Sequence, residues 1–146
     1  EVMETKNANG GAGFTEYNDG TIQFETTQWS QGYYDNGKIW QTFTLPEGKY
    51  EMRIEVKNAA NIGSGSTNIH FAVAQGESLP DNEELEKSDI ILSYLKFESE
   101  HTNKTSALPI FELTEEKTIT VGWVVSFSDI CRNIEFKSVR LWSVAE

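Results

Sequence analysis

The chain has 146 residues, a formal net charge of −11, and 38% hydrophobic and 12% aromatic residues. That charge excludes a nucleic-acid surface, which needs clustered Lys and Arg against phosphates, and it argues equally against an anionic membrane surface. Neutral partners such as sugars or peptides stay open, and a chain of this length is expected to be one domain, residues 1–146.

In chain order, Glu1 to Gly13 is rich in Gly and Asn and reads as a loop or loose end. "YNDG" is a turn, and "TIQFET" after it alternates Ile22 and Phe24 against Gln23 and Glu25, so a strand is expected. Thr27 to Lys38 has no period. It sets Trp29, Tyr33 and Tyr34 among Gln, Ser, Gly, Asp and Asn, and reads as an aromatic loop. "IWQTFTLPEGKYEMRIEV" then alternates, turns and alternates again. Ile39, Gln41, Phe43 and Leu45 share one face, with Trp40, Thr42 and Thr44 on the other. After Pro46 and Gly48, Tyr50, Met52, Ile54 and Val56 alternate with Glu51, Arg53, Glu55 and Lys57. One dry and one wet face mean antiparallel sheet, and a hairpin is expected here.

"NAANIGSGST" is a loop, and "IHFAVAQG" is a strand with Ile69, Phe71 and Val73 inward and His70 and Ala72 outward. Asn82 to Lys87 allows one helical turn capped by Asp81. "IILSYLKFES" is a strand of ambiguous face. "LPIFELTEEKTITVGWVVSF" is expected as a second hairpin, with Ile119, Val121, Trp123, Val125 and Phe127 in one phase. In "NIEFKSVRLW", Ile134 and Phe136 are out of phase with Val139 and Leu141. One extra residue restores the phase, so a β-bulge is expected near Lys137 and Ser138. Trp142 then points outward and covers a sheet edge, while Trp123 lies in the core.

Seven or eight short strands with at most one helical turn predict an all-β fold, an antiparallel β-sandwich of jelly-roll type. Cys131 stands alone, forms no internal disulfide and lacks a redox or metal motif. No apolar run reaches a membrane-spanning length, so insertion of this segment is not expected. The chain opens on Glu with no signal-peptide pattern and reads as a piece cut from a longer protein.

Motifs of catalysis are missing. His70 and His101 are far apart, "GSGS" lacks the Lys of a phosphate cradle, and the acidic residues lie on solvent faces or in the solvated run "NEELE". No catalytic residue, metal ligand set or cofactor is expected, although the acidic loops leave room for a structural Ca2+. The chemistry-bearing segment is the aromatic loop. Sugar C–H faces stack on Trp and Tyr, and their hydroxyls pair with amides and carboxylates. Trp29, Tyr33, Tyr34 and Trp40 supply the rings, and Asp35 and Asn36 the polar groups. The same rings also serve to close the end of a sandwich by packing, and both roles remain open at this level.

Several segments resemble known proteins. "GKIWQTFTLPEGKYEMRIEV" is similar to a strand–turn–strand of galactose-binding-like sandwiches. Val73, Ala74, Gly76, Leu79, Pro80 and Asp81 match a V-A-x-G-x-x-L-P-D segment of a family named domain of unknown function 5013. Val121, Gly122, Phe136, Val139 and Leu141 approximate its closing strands, and Trp40 stands where a smaller aromatic is usual. The resemblance runs from about Gly37 to the end and implies a galactose-binding-like, carbohydrate-binding-module-like β-sandwich. It also implies an exported bacterial protein, periplasmic or at the cell surface, lipid-anchored through a segment not present here. It brings no ligand or site residue. The expected function is a non-catalytic binding module, for carbohydrate first. The alternatives are a structural or protein-interaction domain contacting other domains of the same protein, and an accessory domain of a glycoside hydrolase.

Overall fold

Residues 3–6, 13–16, 22–26, 34–60, 67–127 and 132–145 are described by the computed structural model. They form eleven strands: β1 Met3–Lys6, β2 Gly13–Glu16, β3 Ile22–Thr26, β4 Tyr34–Leu45, β5 Gly48–Ala60, β6 Thr67–Gln75, β7 Ile91–Lys96, β8 Lys104–Ala107, β9 Phe111–Leu113, β10 Lys117–Phe127 and β11 Arg132–Ser143. One α-helical turn, α1 Asn82–Leu85, lies between β6 and β7, and a 3-10 turn, Ser99–His101, beyond the single turn expected, lies between β7 and β8. The first sheet runs β1-β4-β10-β6-β7; the second runs β2-β3-β11-β5-β8, with β9 also on β5. The result is an antiparallel β-sandwich.

The strands beyond the expected eight are short. β1 falls inside the expected loop of residues 1–13 and pairs Met3 to Lys6 with Gln41 to Lys38. The four residues of β1, of β2 and of β8 are too few to show a period, and an edge strand is recruited through its backbone. β4 begins at Tyr34, inside the span expected as the aromatic loop, whose residues 27–33 lie outside the described residues.

Neither expected hairpin forms. β4 pairs with β1 and β10, whereas β5 pairs with β11, β8 and β9 in the other sheet. Pro46 and Glu47 therefore carry the chain across the core. Gly48 turns it at φ 155°, and the Tyr50 hydroxyl donates to the Pro46 carbonyl at 2.8 Å. β9 and β10 are likewise divided between sheets. Alternation says which side of a strand is dry. Two dry sides meeting across a core satisfy it as well as two dry sides in one sheet.

The bulge is where the phase change put it. Phe136 stands opposite Val56 and Ser138 opposite Glu55, leaving Lys137 as the extra residue on β11, while Lys57 is passed over on β5 between Asn58 and Val56. Ile134 and Phe136 are buried and Leu141 packs on the core, while Trp142 turns outward at 45% exposure. Inside, Tyr50, Met52, Ile54 and Val56 meet Ile69, Phe71, Val73, Ile119, Trp123, Val125 and Phe127. Trp123 is the centrepiece, with ring centroids of Phe71, Phe97 and Phe136 at 5.3, 4.8 and 4.7 Å.

Candidate functional site

Each sheet has an outer face, and the two are built differently. On the first sheet, Ala72 and Ala74 of β6 and Val124 of β10 are small enough to admit a second apolar layer. Leu79 and Leu85 cover them, flanked by Trp40, Ile91 and Tyr94. Gly122 stands opposite Trp40 across β4 and β10. A Cβ on Gly122 would meet the Ile39 carbonyl and lie 2.8 Å from the Trp40 Cα, so only glycine fits.

Polar side chains pin this cover down. Lys38, buried on β4, donates to the Leu79 carbonyl at 2.8 Å and to Asp81 Oδ1 at 2.6 Å. Asp81 holds the N-cap position, but its carboxylate makes no capping bond; it is turned to Lys38 instead. The Asn82 N–H is met by Asn36 Oδ1 at 2.7 Å, so the turn is capped from β4. Asn36 itself sits at φ 58° and donates its amide to Glu83 at 3.2 Å.

Asn82 donates to the Asn68 carbonyl and to Ser126 Oγ, which leaves its Oδ1 to accept from His70 Nδ1 at 2.8 Å. His70 Nε2 then faces Glu86 Oε2 at 2.8 Å, and a proton must lie between them. His70 is 1% exposed. Its outward phase was legible in the alternation; its burial comes from α1 lying over it. Hydrogen bonding to His70, ahead of the opposing desolvation and the charges of His70 and Lys96, holds the Glu86 carboxyl below 4.5.

Of the six residues singled out for sugar binding, Trp29 and Tyr33 lie outside the described residues, and Tyr34 and Asp35 open β4. Asn36 is bonded to the α1 segment, and Trp40 is half-buried against the second apolar layer. The structure brings Asn36 and Trp40 to the covered face. Among the described residues, no group of three or more His, Cys, Asp or Glu is placed to hold a metal ion.

Among the described residues, the outer face of the second sheet carries no such cover. Arg53, Glu55, Thr105, Ser138, Arg140 and Trp142 line a depression of about 200 Å3 across β8, β5 and β11. Arg53 stacks over the Trp142 ring at 5.2 Å and is held by Glu51 at 2.7 Å. Ser138 donates to Glu55 Oε1 at 3.1 Å, and Lys137 lies 3.9 Å from Glu55 Oε2. Sequence reasoning found Trp142 outward but not its setting. The usable signal was the run of charges at Glu51, Arg53 and Glu55; the strand placed beside it was not readable.

A ring flanked by charged and hydroxyl side chains on an open sheet face invites comparison with sandwiches of known structure. A family model described as domain of unknown function DUF5013 matches residues 1–122. The chain belongs to that family. No curated protein sequence matches this DUF5013 chain. Among solved structures it is similar to the xylan-binding module CBM15, with TM-score 0.58 and 12% identity over 100% of this chain and 93% of that one. It is also similar to TmCBM61 in complex with β-1,4-galactotriose, with TM-score 0.52 and 11% identity over 97% and 88%. The carbohydrate recognition domain of Emp47p matches with TM-score 0.56 and 11% identity over 98% and 89%. At these identities the likeness is one of fold: the DUF5013 chain shares a β-sandwich with these three proteins.

Proposed function

We propose that this protein is a non-catalytic carbohydrate-binding module and that the open face around Trp142 is its contact surface. The observation that carries the reading is an indole left 45% exposed within a polar depression, on a fold shared with a xylan-binding module and a galactotriose complex. The part of the ring that Arg53 leaves exposed offers stacking to sugar C–H faces, and Thr105, Ser138 and Glu55 offer partners to hydroxyls. Trp29, Tyr33, Tyr34 and Asp35 remain a second set of candidate contacts on residue type alone. Asn36 and Trp40 join them only at the cost of the hydrogen bonds of Asn36 to the α1 segment and the packing of Trp40 on the apolar layer. The module serves an exported bacterial protein, periplasmic or surface-anchored, beside other domains of the same polypeptide.

The test is retardation on gels containing a panel of plant and bacterial polysaccharides, acidic and neutral. Trp142→Ala is expected to lower affinity at least about tenfold, the scale of a lost aromatic stacking contact, with an unchanged fold by circular dichroism. Absence of retardation by every polymer in the panel would sink the reading.

A further inference from the structure

The open face holds an electrostatic anomaly. Arg53 and Arg140 are direct cross-strand partners on β5 and β11. Like charges directly opposite each other destabilise a sheet, and this pair sits in a chain of net charge −11. Glu51 relieves Arg53 at 2.7 Å. Glu55 is engaged by Ser138 and approached by Lys137. Arg140 has no ion pair or hydrogen bond among the described residues, although it lines the same depression as Trp142. The patch therefore sets Arg53, Arg140 and Lys137 against Glu51 and Glu55, one anion short, beside the exposed ring.

We infer that this depression takes a carboxylate-bearing sugar, a uronic acid residue within a glycan, with Arg140 receiving the carboxylate and Trp142 the ring. The inference rests on the carbohydrate reading and sharpens its ligand class. Guanidinium is the group suited to this task, because its planar donors match both oxygens of a carboxylate. The chain's overall negative charge does not forbid it, since exposed charges beyond about 8–10 Å are screened at physiological salt.

The experiment uses polygalacturonate, alginate and glucuronoxylan, each beside its carboxyl-reduced counterpart, at low and high ionic strength. An acidic polymer is expected to bind about tenfold more tightly than its reduced form, the scale of a charge-assisted pair. The preference should shrink with salt and vanish in Arg140→Ala, whose thermal unfolding matches the parent. Equal binding of acidic and reduced polymers, or of neutral polymers alone, with dependence on Trp142 would overturn this inference and leave the sugar-binding reading standing. Binding of no polymer would overturn both.

Discussion

The outward side of β6 carries His70, Ala72 and Ala74, whereas the outward side of β5 carries Glu51, Arg53, Glu55 and Lys57. Both strands are dry on their inner side and pack against the same core. On the first sheet Ala72, Ala74 and Val124 are small and apolar and His70 finds polar partners in Asn82 and Glu86, so water is excluded by adding another layer, residues 79–91 with α1. On the second they are long and charged, no layer covers them among the described residues, and Trp142 stays in contact with solvent. Inward alternation is what the two sheets share; the size and charge of the outward residues decide whether a face becomes structure or surface.

Removing the cover is the hardest test of that contrast. Leu85 is fully buried in the second apolar layer. Leu85→Ala should cost about 2–5 kcal/mol in denaturant unfolding, against less than about 0.5 kcal/mol for a substitution on the open face such as Arg140→Ala. Comparable losses at the two positions would mean that the cover is not part of the cooperative unit. Lys38→Met comes next. It leaves the Leu79 carbonyl without its donor, while the half-exposed Asp81 regains water. About 1–3 kcal/mol is expected from the unpaired buried carbonyl, with hydrogen exchange rising in residues 79–90 before the rest of the sheet.

The smallest effect concerns acid. Because the Glu86 carboxyl is held below 4.5 in the folded protein, it adds stability that is present above 4.5 and lost as pH falls through the lowered value. Glu86→Gln should therefore flatten that part of the acid-unfolding profile. The side chain is 49% exposed, so the contribution is at most about 0.5 kcal/mol. An acid profile identical in parent and variant would remove His70 and Glu86 from the forces that hold the cover.

Much of this was readable in residue order. Tyr50, Met52, Ile54 and Val56 declared their buried side, and the phase change between Phe136 and Val139 located the bulge at Lys137 to within a residue. Strand partners were not readable. The connection at Pro46 and Glu47 looks like a hairpin turn, yet it joins opposite sheets, because a two-residue link spans either geometry and only the competition among all strands for partners chooses. The candidate site suffers most from this. Arg53 lies 87 positions before Arg140 in the chain, and nothing local to either announces the other.

Residue order by itself determined the all-β class, the inward faces and the outward turn of Trp142, since these follow from a two-residue period and one extra residue. Tertiary structure alone decided that Asn36, Lys38 and His70 hold a cover in place, and that two arginines and an indole share one open face. Those outcomes depend on long-range register and on what packs over each sheet, and neither is encoded within the reach of a single strand.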